Sequence, residues 1–322
     1  MARSLFDRTL LHLCSLADRV SDMDLSDVLE LHDVDSTPHF PALPMIGQEI
    51  RKARASHRPV VLLMGAHVIK RGLSRYVIDL MERGFLTHVA GNGACCIHDF
   101  ELARGGATTE SVARYLSEGQ FGLWQETGEI NDIVNRSIST GLGFGEAIGR
   151  ELFHGRFPYR SVSILAAGCR LEIPVTIHVG IGQDIIHMHP NFDAAATGVA
   201  TYRDFLTIAE TLRELEGGVV LNFGTAVMGP EIFQKGLSMA RNVASQANRE
   251  IARFTTAVFD LIDIGQDHTR EPQKDEASYY FRPFKTLLVR SVQDGGKSYY
   301  VRGDHRLTLP ALRSLLLQGG EE

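Results

Sequence analysis

Short apolar segments that end at or beside a glycine restrict the fold of this chain more than any other sequence feature. The first, residues 59–65, is a continuous apolar run of the kind found in strands covered on both faces. Further strand-like segments follow at 87–90, 173–179, 217–224 and 254–262. Segments typical of helices separate them, at 68–84, 204–216 and 230–252. Strands that alternate with helices form parallel βαβ units, so we predict an α/β fold with a Rossmann-like, doubly wound, mostly parallel sheet.

The first part of the chain has a different pattern. Leucines between Leu5 and Leu16 have the spacing of an amphipathic helix, and residues 48–56 read as a short basic helix. Three prolines within residues 37–44 predict an extended connector. We therefore predict an N-terminal helical arm with its connector over residues 1–57, and a single α/β domain over residues 58–322.

Composition excludes several classes of function. The formal net charge is −6 and no long basic run occurs, which argues against a nucleic-acid partner. No apolar run approaches the ~20 residues that cross a bilayer, and the first residues lack the apolar core of a signal peptide. The four cysteines are too few for a disulfide framework in a chain of 322 residues. We expect a soluble, cytoplasmic protein with no membrane partner.

Residues 173–193 combine a predicted strand, a glycine turn and several ionisable side chains. The strand runs into Gly180-Ile-Gly182, and Asp184, His187 and His189 follow. Ligands of open α/β sheets bind at the carboxyl ends of the strands. This stretch is therefore the first place where we expect a functional site.

The order of several motifs resembles deoxyhypusine synthase. Residues 62–72 read LLMGAHVIKRG and residues 88–102 read HVAGNGACCIHDFEL, similar to the first two nucleotide-contacting segments of that family. Further matching segments lie at 148–151, 184–189, 218–224, 275–277 and 301–310. The resemblance implies a Rossmann-like NAD-binding fold and a homotetramer with NAD near a subunit interface. It also implies oxidation of spermidine, followed by aminobutyl transfer to a lysine.

The candidate cofactor residues lie at predicted strand ends, where glycine lets the backbone approach a pyrophosphate. Asp304 matches a family carboxylate that binds the adenosine ribose. The NAD-binding set that we predict is Gly65, His67, Gly91, Asn92, Gly93, Gly180, Gly224, Thr225 and Asp304.

The candidate substrate residues are acidic. Asp184 and Glu276 match family carboxylates that hold the ammonium groups of the polyamine, and Asp267 falls close to a third. A linear polyamine needs a separate charge partner for each ammonium group. We predict no metal in this site.

The chain departs from the family at the residue that forms the imine. Arg282 stands where the family has its catalytic lysine, and a guanidinium cannot act as that nucleophile. Lys285 lies three residues further on, but Pro283 limits a shift in register. We expect no covalent lysine intermediate, and we expect Arg282 to orient an anionic group.

These observations predict an NAD-dependent enzyme that oxidises a polyamine or related amine to an imine and transfers the product to an amine acceptor. Two alternatives remain open. A relative that has lost its nucleophile would bind NAD or a polyamine without catalysis. A metal enzyme would use His178, Asp184, His187 and His189, with further ligands such as Asp193 or His268.

Overall fold

The computed structural model of the protein describes residues 4–32, 40–265 and 267–318. Its strands are β1 (Ser21–Asp24), β2 (Val60–Met64), β3 (His88–Asn92), β4 (Ala107–Glu110), β5 (Val175–His178), β6 (Val219–Phe223), β7 (Thr255–Asp260) and β8 (Lys297–Arg302). Its helices are α1 (Leu43–Ala55), α2 (His67–Lys70), α3 (Ser74–Glu82), α4 (Gly93–Gly105), α5 (Val112–Ser117), α6 (Glu129–Thr140), α7 (Phe144–His154), α8 (Ile164–Leu171), α9 (Ala194–Leu212), α10 (Met228–Gln246) and α11 (His305–Gln318). Within these residues, no helix combines the length and the hydropathy needed to cross a bilayer.

Six strands form one parallel sheet in the order β5-β3-β2-β6-β7-β8. The chain builds outward from β2 to β3 and β5, then returns to β6 beside β2 and builds outward to β7 and β8. This order matches the doubly wound dinucleotide-binding fold, whose direction reverses between the two central strands. The predicted α/β fold class is confirmed.

Each face of the sheet is covered by helices, which explains the continuous apolar runs in the strands. Leu62 and Leu221 face a core that includes side chains of α1, α3, α4, α7, α8 and α11. Val61 and Val220 face the opposite core, which α9, α10 and the π-helical segment Phe284–Arg290 complete. Successive strand residues point to opposite faces, so a strand buried on both sides has no polar alternation.

The N-terminal region is helical only in part. Its first residues form the single 3₁₀ turns Arg8–Leu10 and Leu16–Asp18 in place of the predicted amphipathic helix, and β1 pairs antiparallel with β4. The side chains of Asp7 and Ser15 accept hydrogen bonds from the turn backbone and compete with a longer helix. The second predicted helix is present as α1, and part of the proline connector, residues 37–39, lies outside the described residues.

Three further sequence predictions need correction. The strand-like run after Lys285 belongs to the π-helical segment Phe284–Arg290, where its apolar residues pack under the sheet. The sixth strand, β8, was not predicted because its residues are mostly half-buried and include Lys297 and Arg302. Helix α9 begins ten residues before its predicted start, because Asp193 caps it by accepting hydrogen bonds from the backbone of Ala195 and Ala196.

Side chains of α9 cover the edge strand β5. The Asp204 carboxylate accepts hydrogen bonds from the backbone N–H of Ile177 (2.6 Å) and of Gly145 (2.8 Å), so it joins β5 to the start of α7. Thr201 Oγ1 accepts from Val179 N at 3.1 Å and donates to Ile177 O at 3.0 Å. Burial raises the pKa of Asp204 to about 7. An edge strand whose backbone groups are hydrogen-bonded to side chains cannot pair these groups with a strand of another chain.

We predict that Asp204→Ala lowers the free energy of unfolding by about 2–5 kcal/mol, because it leaves two buried N–H groups without an acceptor. Urea unfolding followed by circular dichroism measures this loss. Glu210→Ala on the same helix is the matched control, since Glu210 is exposed and bonds only to Arg213 among the described residues. Equal stability of the two variants would contradict the role given to Asp204.

Candidate active site

The parallel sheet brings most of the predicted cofactor residues to one edge. Gly65 follows β2, Gly93 follows β3, Gly224 follows β6 and Asp304 follows β8, while Gly180 comes two residues after β5. Gly91 and Asn92 are the last two residues of β3. Because all six strands point the same way, these residues share the carboxyl edge, where ligands of such sheets bind.

The backbone segments approach closely where the winding direction reverses, between β2 and β6. Gly65 N donates to Phe223 O at 2.9 Å, and a Cβ at Gly65 would lie 2.3 Å from Gly224 O. Gly224 has φ +65°, and a Cβ there would lie 2.7 Å from His305 Nε2. Thr225 Oγ1 then accepts from Gly229 N at 2.9 Å in the first turn of α10. Neither glycine tolerates a side chain, so bare backbone and the start of α10 lie together at this point of the edge.

Charged and titratable side chains border the crevice. Arg71 donates to Asp304 Oδ2 at 2.6 Å, and Arg306 N donates to Asp304 Oδ1 at 2.8 Å, so Asp304 also caps α11. Burial lowers the pKa of His305, and its Nδ1 is buried without a hydrogen-bond partner among the described residues. His67 is exposed at the start of α2. The sequence did not identify Arg71 or His305, because only the sheet order brings them to this edge.

Asp184 lies on the other half of the same edge, against the start of α4. A Cβ at Gly93 would lie 2.1 Å from Asp184 Oδ2, so glycine is required for this approach. Asn92 caps α4 by accepting from Cys95 N at 3.0 Å. The Asp184 side chain is 12% exposed, and burial raises its pKa to about 6.

Among the basic side chains that the structure describes, His187 is the one within ion-pair distance of Asp184. Its Nε2 lies 3.9 Å from Asp184 Oδ2, and its Nδ1 accepts from the backbone N of Gly182 and of Asp184, each at 3.1 Å. Burial lowers the pKa of His187, so the ring is neutral at pH 7 with its proton on Nε2. Asp184 therefore keeps a negative charge that no described lysine or arginine neutralises by an ion pair.

A cavity of about 200 Å³ opens beside Asp184. It lies between the N-terminal region, α4, β4 and the loop after β5. Its lining includes Arg19, Lys70, His98, Glu101, Thr109, Glu110 and Asp184. Of these residues the sequence analysis identified only Asp184, since the others come from segments that the sequence does not link.

The remaining predicted catalytic residues lie elsewhere. Lys285 is 8% exposed, with Nζ 3.5 Å from the centroid of the Tyr279 ring, and Arg282 pairs with Glu231 at 3.0 Å. Asp267 and Glu276 are exposed on the segment that follows β7. Strand β5, which precedes Asp184, is four strand positions away from β7, about 19 Å at the usual strand spacing. One chain therefore does not bring Asp184 together with this group.

The histidines of the metal alternative have other partners. His178 Nε2 lies 2.9 Å from Thr176 Oγ1, and His189 Nε2 donates to Gly122 O at 2.8 Å. Among the residues that the structure describes, no three His, Cys, Asp or Glu side chains form a group that could hold a metal ion. Nothing in this arrangement supports the metal alternative.

The sequence matches no protein-family profile and no curated protein sequence. Among solved structures, ArgZ, an arginine dihydrolase from cyanobacteria, is similar with a TM-score of 0.49 and 16% identity over 86% of this chain and 32% of its own. A proposed LOR/SDH protein from Methanococcus maripaludis S2 has a TM-score of 0.49 and 13% identity over 90% and 73% of the two chains. A proposed deoxyhypusine synthase from Entamoeba histolytica has a TM-score of 0.46 and 10% identity over 86% and 87%. The chain spans about a third of the length of ArgZ, and these similarities concern the fold alone.

We predict that Asp184→Asn raises the free energy of unfolding by about 1–3 kcal/mol at pH 7.5. The folded protein holds the Asp184 proton more tightly than the unfolded chain, because burial raises the folded-state pKa from 3.8 to about 6. The free energy of unfolding of the wild type therefore falls as pH rises from about 4 to about 6. The asparagine variant does not show this fall, because asparagine does not ionise.

Urea unfolding at pH 7.5 and at pH 4.5 measures the difference between the two proteins. The difference in the free energy of unfolding should be large at pH 7.5 and small at pH 4.5. Asp22→Asn is the matched control, because Asp22 is exposed on β1. A difference that does not change with pH would contradict the buried, ionised state of Asp184.

Proposed function

We propose that the chain binds NAD across the crevice between β2 and β6 and uses it to oxidise an amine. The observation that carries this proposal is the meeting of Gly65 and Gly224 at the point where the doubly wound sheet reverses direction. The bare backbone at this point fits a polar ligand held against it, as does the Nδ1 of His305, which has no hydrogen-bond partner among the described residues. NAD supplies a hydride acceptor for the carbon beside the amine nitrogen.

The proposed cofactor contacts follow from charge and from backbone geometry. Bare backbone at Gly65 and Gly224 allows a pyrophosphate to approach the start of α10, where the helix dipole favours an anion. Arg71 contributes a cation to the same edge, and Asp304 keeps lone pairs that ribose hydroxyls can use. We assign His67, Gly91, Asn92, Gly93, Gly180 and Thr225 to the surroundings of the nucleotide by their position at this edge.

Asp184 is the proposed partner of the amine. Its carboxylate is mostly buried and carries a charge that no described lysine or arginine neutralises by an ion pair. Because burial raises its pKa to about 6, Oδ2 is a stronger base than an exposed aspartate and can hold an ammonium or accept a proton from it. A polyamine is the amine that the resemblance to deoxyhypusine synthase favours.

The proposal gives Lys285 no covalent role. Its ammonium lies on the face of the Tyr279 ring, where a cation is stabilised, and Arg282 is paired with Glu231. A chain that binds NAD and an amine but forms no NADH would be the non-catalytic alternative. The formation of NADH in the presence of an amine therefore decides between an enzyme and a non-catalytic relative.

We predict that Asp304→Ser weakens NAD binding by about 1–3 kcal/mol, the scale of a charged hydrogen bond. Serine keeps an oxygen that can cap α11 and removes the charge. Calorimetry measures the affinity, and NADH absorbance with spermidine and related amines measures turnover. Lys285→Met should keep any turnover of the wild type. The matched control is Glu118→Ala, which removes an exposed carboxylate paired with Arg114. If Asp304→Ser leaves the NAD affinity unchanged, Asp304 does not contribute to NAD binding.

We also propose that the chain assembles as a homotetramer. Asp184 and Glu276 follow strands that are far apart in the sheet, so a polyamine that uses both needs residues from two subunits. Exposed apolar side chains on α9 and α10 offer a surface for such assembly: Val199, Tyr202, Leu206, Met239 and Val243. Their spacing of three or four residues along each helix places them on one stripe.

We predict a light-scattering mass close to four times the 35.6 kDa of one chain. Leu206→Glu should shift the mass toward smaller species, because it introduces a charge into the apolar stripe. Leu116→Glu is the matched control, since Leu116 is an exposed leucine on α5, outside the stripe. A monomeric wild type that still binds NAD would contradict the shared site.

A further inference from the structure

The cavity beside Asp184 is small and mixed in character. Its volume of about 200 Å³ equals that of about seven water molecules at roughly 30 Å³ each. Ile97, Val112, Phe121 and Ile185 provide apolar lining, and the rest of the lining is mostly ionisable or polar. A ligand of this cavity is therefore a small molecule with both polar and apolar parts.

Two charged residues of the lining neutralise each other. Arg19 donates two hydrogen bonds of 2.9 Å to the Glu101 carboxylate, and both side chains are buried. Thr108 and Thr127 donate to the same carboxylate at 2.6 and 2.7 Å. Glu101 is thus saturated with donors, and this pair serves the structure of the cavity wall.

Glu110 is also held by the protein. It accepts from Trp124 Nε1 at 2.9 Å and from Gly122 N at 3.1 Å, and burial raises its pKa. Glu110, Lys70 and Asp184 have no ion-pair partner among the described lysines, arginines and carboxylates, but Glu110 is hydrogen-bonded by these two neutral donors, so two charges of opposite sign remain. They are the Lys70 ammonium and the Asp184 carboxylate, and both residues line the cavity.

Two neutral groups of the lining have unused hydrogen-bonding capacity. Thr108 donates its hydroxyl proton to Glu101, so it accepts from His98 Nδ1 at 2.8 Å, and His98 Nε2 is left as an acceptor. Thr109 has a buried hydroxyl with no hydrogen-bond partner among the described residues, and its φ is +67°. Positive φ is strained for a β-branched residue, and such strain is typical of functional sites.

We propose that this cavity binds a small α-amino acid as its zwitterion. The ammonium is received by the Asp184 carboxylate and His98 Nε2, and the carboxylate by the Lys70 ammonium and the Thr109 hydroxyl. The apolar lining takes a short aliphatic side chain. This deepens the proposed function, on which it rests for the ammonium-binding role of Asp184, and it names an α-amino acid in place of a polyamine as the amine that Asp184 binds. A polyamine fits this cavity less well, because Lys70 repels a second ammonium group.

Calorimetry of the full chain without nucleotide tests the binding step separately from NAD binding and turnover. The probes are L-valine, isobutylamine (which lacks the carboxylate), isovalerate (which lacks the ammonium) and spermidine. We expect L-valine to bind at least tenfold more tightly than each of the other three probes. This comparison uses only the wild-type protein and does not depend on how a variant folds.

Two variants should remove the charges one at a time. Lys70→Met should weaken L-valine at least tenfold without weakening isobutylamine, because isobutylamine has no group for Lys70 to bind. Asp184→Asn should weaken L-valine without weakening isovalerate. Lys52→Met is the matched control, since Lys52 is an exposed lysine paired with Glu49 on α1, and it should leave all affinities unchanged.

Tighter binding of spermidine than of L-valine would overturn the proposal, as would the absence of L-valine binding at millimolar concentration. Equal weakening of isobutylamine and L-valine by Lys70→Met would also overturn it. If the wild-type protein binds L-valine but does not bind NAD, the redox function is rejected and the amino-acid cavity stands.

Discussion

The parallel pairing of β2 with β6 is the constraint on which the rest of the structure depends. It places the carboxyl ends of all six strands at one edge and makes the winding direction reverse where Gly65 meets Gly224. A side chain at either glycine would collide with backbone or with His305. Bare backbone therefore lies at this point of the edge, and no side chain of either residue covers it.

Burial raises the pKa of three of the described aspartates, and their hydrogen-bond partners separate structural from functional roles. Asp99 accepts from Ser163 Oγ and from the first backbone N–H groups of α8, and Asp204 joins β5 to α7. These carboxylates replace missing backbone acceptors, so their burial is compensated by the fold. Among the described residues, Asp184 has no basic ion-pair partner other than a neutral imidazole at 3.9 Å. A buried charge without such compensation is costly, and a bound cation would relieve that cost.

The region that resembles the catalytic segment of deoxyhypusine synthase is organised differently here. Arg282 is paired with Glu231, and Lys285 is buried against Tyr279 within a π-helical segment. These contacts satisfy both cations within the chain, whereas Lys70 in the cavity has no ion-pair partner among the described residues. The proposed chemistry is therefore centred on the Asp184 side of the sheet, where Lys70 lines the same cavity.

The sequence by itself determined five of the six strands of the parallel sheet, because a strand buried on both faces requires a continuous apolar run. It therefore identified Gly65, Gly93, Gly224 and Asp184, and with them the edge of the sheet that carries the candidate site. It could not indicate that Lys70 and Thr109 line one cavity with Asp184, since their segments are distant in the chain. Only the tertiary structure decided which charges are neutralised, because an ion pair depends on distances that folding alone creates.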